Sequence, residues 1–147
     1  MIDLYQNEGI IAEPAGALSV SALDNLAEQI KSKTVVCILS GGNNDILRYP
    51  EIMEKSLVYQ GRKHYFIIEF AQKPGQLKKF ITGVLGPTDD MVRFEYIKKN
   101  SKETGPAFVG IELVKKEDFR PLISRMDKLR IKYTVITSKD ILYSYLV

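Results

Sequence analysis

Residues 64–85 read HYFIIEFAQKPGQLKKFITGVL, and the rest of the chain is best interpreted outward from them. His64 to Ala71 is rich in β-branched and aromatic side chains, which suits a strand. Gln72 Lys73 Pro74 Gly75 is a turn, and Gln76 to Leu85 sets Leu77, Phe80, Ile81, Val84 and Leu85 at helical spacing. Gly86 Pro87 Thr88 Asp89 stops that helix. Downstream, Met91 to Lys99 reads as a second strand, Asn100 to Pro106 as a hairpin loop and Ala107 to Val114 as a third strand. Glu117 to Arg130 carries Phe119, Leu122, Ile123, Met126 and Leu129 on one helical stripe, and Tyr133 to Thr137 closes the series as a fourth strand. The order is βαββαβ.

That order is the ferredoxin-like α+β pattern, and it occupies residues 62–147, because the pattern changes at Gly61 Arg62 Lys63. The tail Asp140 to Val147 is apolar enough to pack, as a short helix or an extra edge strand. Residues 1–61 read differently. Met1 to Glu8 has the spacing of the last turns of a helix ended by Gly9, so Met1 begins inside an element, as in a truncated reading frame or an engineered fragment. After Glu13 Pro14, a helix to about Lys31 is expected to bury Leu18, Ala22, Leu26 and Ile30. Thr34 to Asp45, TVVCILSGGNND, opens with a β-branched apolar run that reads as a strand buried on both faces, with Cys37 a packed core residue. Asn44 or Asp45 would cap the next helix, which runs to about Gly61 with Ile46, Ile52, Met53 and Leu57 as its stripe. One helix, one strand and one helix do not close a sheet, so an exposed strand edge and self-association are expected.

Composition narrows the function. The 147 residues are 45% apolar and 27% charged, near the globular average. No apolar run approaches the roughly 18 residues of a membrane span, and no signal-like segment opens the chain, so a cytoplasmic protein without membrane contact is expected. A net charge of +3 is spread among neighbouring acids, as in Lys115 Lys116 Glu117 Asp118, which argues against nucleic acid. One histidine and one cysteine make a transition-metal site improbable.

Two turns carry candidate chemistry. Ser40 Gly41 Gly42 lies at the carboxyl end of the 34–39 run, the edge where open α/β sheets bind ligands, and paired glycines let backbone approach a flat ligand. Pro74 Gly75 delivers backbone N–H groups at a helix N-terminus, which suits an amino-acid carboxylate, while Leu77 suits an aliphatic side chain. Each also reads simply as a tight turn between strand and helix.

The motif EPAGA at residues 13–17, followed by a helix and VVCILSGGNND at 35–45, resembles the end of the catalytic domain of biosynthetic threonine dehydratases. KPGQL at 73–77, with Phe94 Glu95 Tyr96 pairing against Phe108 Val109 Gly110, resembles that family's ACT-like regulatory half. The resemblance implies an α/β fragment of a pyridoxal-phosphate catalytic domain of fold type II in 1–61, ahead of one ACT-like domain in 62–147. It implies that Ser40 bonds the pyridine nitrogen of pyridoxal phosphate while Gly41, Gly42 and Glu13 line the cofactor ring. Pro74, Gly75, Gln76, Leu77, Phe94, Glu95 and Tyr96 would then meet isoleucine or valine as effector, with Glu95 a candidate partner for the ammonium. The family's Ser-x-Lys-x-Arg-Gly lysine and tetraglycine phosphate loop have no counterpart here. Accordingly no bound cofactor and no threonine dehydration are expected of this chain alone, the remainder of the catalytic domain and a homo-oligomer being the implied partners. The alternative is a free-standing ACT-type amino-acid sensor acting on a separate protein.

Overall fold

Strand β1, Lys63–Ala71, lies inside a four-stranded sheet with β2 (Asp90–Tyr96), β3 (Thr104–Glu112) and β4 (Lys132–Ile136). The order is β2-β3-β1-β4 and every pairing is antiparallel. This is the computed structural model of the chain, which describes residues 1–43, 45–96, 98 and 103–145. Asn44 as a cap, the end of the second strand at Lys99 and residues 100–102 of the hairpin loop lie outside the described residues, as does the side chain of Ile46, while Thr104 to Pro106, expected in that loop, already belong to β3. Helices α5 (Gln76–Val84) and α6 (Phe119–Lys128) connect the strands in the expected βαββαβ order, and four shorter or less buried helices precede β1.

Alternation along the strands builds the core. Phe66, Ile68 and Phe70 of β1 turn to the same face as Ala107, Val109 and Ile111 of β3, where Phe80, Val84, Leu122 and Met126 of the two helices cover them. Burying each large side chain is worth about 1.5–3 kcal/mol, so this layer holds the domain together. Arg125 of α6 fastens the far end. Its Nε donates to the Val84 carbonyl, and its terminal nitrogen lies 2.6 Å from Asp89 Oδ2, which also accepts the Gly86 N–H at 2.7 Å. On the opposite face Tyr65 stacks on Phe108 at 5.4 Å, and Arg93 sits 5.0 Å from the Phe108 ring centre.

The chain divides into two units, Met1–Met53 and Glu54–Val147. The division falls inside helix α4, Tyr49–Tyr59, ahead of the change of pattern read at Gly61. Within the second unit, the Glu54 carboxylate receives both the Lys63 ammonium and the Tyr65 hydroxyl of β1.

The front unit departs from the sequence reading. Helix α1 spans Ile2–Glu8 and ends at Gly9 with φ 67°, as expected. The helix expected over 14–31 is broken into α2 (Leu18–Ser21), a 3-10 turn at Asp24–Leu26 and α3 (Ala27–Ile30). Leu18 and Leu26 are exposed and Ala22 and Ile30 only half-buried, so the expected stripe is not buried as a whole. The apolar run at 34–39 forms neither helix nor strand and joins no sheet; Val36 and Ile38 are 84% and 77% exposed. Cys37 is half-buried instead of a core residue, its thiol 3.7 Å from the Ser19 carbonyl. A strand needs neighbouring strands to satisfy its N–H and C=O groups, and there is none among the described residues of this unit. Asp45 does act as a cap, accepting the Leu47 N–H at 3.0 Å.

Candidate functional site

The β1–α5 turn forms a concave site on the helix face of the sheet. Gly75 holds the left-handed conformation, φ 79°, that a side chain resists, and so aims the chain into α5 without a capping side chain. The first N–H groups of α5 are left without a helical acceptor, at the positive end of its dipole. Around this start lies a cavity of about 160 Å³ lined by Phe70, Ala71, Lys73, Gly75, Gln76, Leu77, Phe94 and Tyr96. Its wall is an aromatic cluster in which Phe70 meets Phe94 and Tyr96 at 6.0 and 6.1 Å, with Phe80 behind at 5.3 Å.

Of the residues expected around an effector, Gly75, Gln76, Leu77, Phe94 and Tyr96 meet here. Glu95 does not. Strand alternation sends Phe94 and Tyr96 to the helix face and Glu95 to the other, where its carboxylate lies 2.7 Å from Arg93 Nε. Pro74 is exposed and does not line the cavity; it shapes the turn. Sequence reasoning missed Phe70, Ala71 and Lys73. Phe70 was legible as an inward strand residue, while the exposure of its edge depended on where β2 would pair.

In the front unit, Glu13, Ser40 and Gly41 are brought together. The Glu13 N–H donates to the Gly41 carbonyl at 3.2 Å. Gly41 has φ 80°, and a Cβ there would run into the Glu13 carboxylate; one on Gly16 would collide with the Ser40 carbonyl. Gly42 stands more open, its nearest neighbour the Ile11 carbonyl at 3.9 Å from an added Cβ. Ser40 is exposed, so its hydroxyl is accessible. The glycines of both motifs therefore permit one close backbone crossing.

Residues 54–146 match the C-terminal regulatory domain of threonine dehydratase. Over its whole length the chain is 52% identical to the biosynthetic L-threonine dehydratase of Bacillus subtilis and 51% identical to that of Halalkalibacterium halodurans, covering 35% of each. It is also 52% identical to the Mycobacterium leprae enzyme of the same name, covering 34% of it. The chain thus spans about a third of the length of these relatives. A four-stranded regulatory sheet preceded by the EPAGA and SGGNND turns, matched end to end at this identity, places the chain in the threonine dehydratase family, with residues 54–146 its C-terminal regulatory domain.

Proposed function

We propose that the chain serves as the ACT-like regulatory portion of a pyridoxal-phosphate-dependent threonine dehydratase, and that the cavity at the Gly75 turn binds isoleucine or valine. The meeting of free α5 N–H groups, Lys73, Leu77 and three aromatic rings in one cavity carries this reading. The effector carboxylate rests on the N–H groups at the start of α5, with Lys73 beside it. Its aliphatic side chain packs on Leu77, and its ammonium lies over the Tyr96 and Phe94 rings, an arrangement that replaces the Glu95 contact. Binding shifts the assembled enzyme between active and inactive states by its differential affinity for them. Homo-oligomers form through the edge strands β2 and β4.

The front unit contributes part of a cofactor wall in this account. The accessible Ser40 hydroxyl and the crossing of Gly41 over Glu13 fit the edge of a flat pyridine ring, with Gly42 beside them. Bound there, pyridoxal phosphate would supply the electron sink that β-elimination from threonine requires. A hydroxyl partner leaves the pyridine nitrogen largely unprotonated and moderates that sink. Threonine and pyridoxal phosphate added to the 147-residue chain should yield no 2-oxobutanoate; appreciable turnover would refute the division of labour.

Calorimetry tests the effector site. L-isoleucine or L-valine should give saturable heat, and Phe94→Ala should weaken it about tenfold, as loss of a packed aromatic contact does. Equal heats for wild type and variant would overturn the assignment. The rival of a free-standing sensor predicts the same heats, and the reading frame upstream of Met1 separates the two. A nucleic-acid platform on the sheet face opposite α5 and α6 is disfavoured: Tyr65 is only 3% exposed, with Glu54 and Tyr143 against it, and Arg93 already covers Phe108.

A further inference from the structure

A second cleft lies across Gln76 from the turn cavity, and it is larger, about 310 Å³. Phe70, Phe80, Leu129 and Ile131 give it an apolar lining, between the first turns of α5 and the chain leaving α6. Gln76, Lys79, Phe80 and Gly83 recur at helical spacing on the side of α5 that faces this exit. Gly83 marks the contact, since a Cβ added there would come 2.7 Å from Leu129 Cδ1. The lining thus receives Lys79 from one helix and Arg130 from the segment beyond the other.

Arg130 stands where a glycine belongs. Helix α6 ends with the Arg130 N–H donating to the Asp127 carbonyl at 2.9 Å and the Ile131 N–H to the Met126 carbonyl at 3.0 Å. That pair of bonds is a Schellman end, whose pivotal residue adopts the left-handed conformation and is most often glycine. Arg130 adopts it, with φ 52°, against the preference of its own Cβ. Neither the Arg130 nor the Lys79 side chain has a hydrogen bond or ion pair among the described residues. Glu69 and Lys132 border the cleft, but they pair directly across β1 and β4, and alternation with Ile68 and Phe70 turns Glu69 to the opposite face. On the cleft side Lys79 and Arg130 therefore overlook an apolar floor, and among the described residues the one acid at its border is Glu69, which strand alternation turns to the other face.

From this geometry we infer that the cleft between α5 and the end of α6 binds a small aliphatic carboxylate without an ammonium group, such as a branched 2-oxo acid. The carboxylate lies between Arg130 and Lys79, and the hydrocarbon covers Phe80, Leu129 and Ile131. The site is separate from the effector cavity and does not depend on that assignment, although the two share Phe70, Ala71 and Gln76.

The test is an amide NMR titration of the whole chain with 4-methyl-2-oxopentanoate and with L-leucine, which share a carbon skeleton and differ in the ammonium. The oxo acid should shift Lys79, Phe80, Arg130 and Ile131 saturably, with leucine about tenfold weaker at those positions. Arg130→Gly suits the Schellman end better than arginine does, so it should keep the folded spectrum while losing at least about tenfold in oxo-acid affinity. Lys79→Gln, on an exposed helical turn, should lose several-fold. Undiminished binding by Arg130→Gly, equal binding of leucine, or oxo-acid shifts centred on Gly75 and Leu77 would each overturn the inference.

Discussion

His64 shows how a single side chain ties the sheet to its surroundings. Its ring stacks on Phe119 at 4.0 Å, and its Nε2 lies 2.8 Å from the Gly61 carbonyl. Burial holds its pKa below the ordinary value of 6.5, the bond to the carbonyl offsetting this in part. The unfolded chain therefore takes up a proton first as pH falls. Stability should decline from about pH 6.5 down to the lowered folded pKa and level off below it. Urea denaturation at stepped pH checks this, and His64→Gln should remove that portion of the slope; an unchanged slope would contradict it. Arg130 teaches the complementary lesson. Nothing in the sequence singled it out, because its left-handed backbone arises only from how α6 ends.

At the scale of elements, the join of α5 to α6 rests on Asp89 and Arg125. The Asp89 side chain is 3% exposed, so removing it strands the Gly86 N–H and leaves the Arg125 guanidinium only its bond to the Val84 carbonyl. Asp89→Ala should destabilise the domain by about 1–3 kcal/mol, read as a lower urea midpoint with unchanged slope. A shift under about 0.5 kcal/mol would show the network to be ornamental. The strands and helices of this domain were legible because each has its own amphipathic period and stop signal, as Gly75 and Gly86 Pro87 show. The turn cavity was legible up to the choice of face. Glu95 was the residue at issue, since the pairing of β2 fixed which of its neighbours turned inward. The 34–39 run read equally well as a strand, yet no local signal could supply its partners.

For the whole molecule, this contrast divides a unit with a closed aromatic and aliphatic core from one whose buried apolar residues are Ile2, Ala12 and Ala17. Val36→Lys with Ile38→Lys should leave the unfolding of the regulatory domain within about 0.5 kcal/mol of wild type and reduce self-association in sedimentation. A large loss of stability would mean that the run is buried in solution. No helix among the described residues is long and apolar enough to cross a membrane. The function proposed for the regulatory domain depends on its binding a branched-chain amino acid where α5 begins. An amide NMR titration of the 147-residue chain with L-isoleucine tests it most directly. Saturable shifts should cluster on Gly75 to Lys79, Phe94 and Tyr96; a silent spectrum at millimolar ligand, or shifts confined to Arg93 and Phe108 on the opposite face, would contradict it.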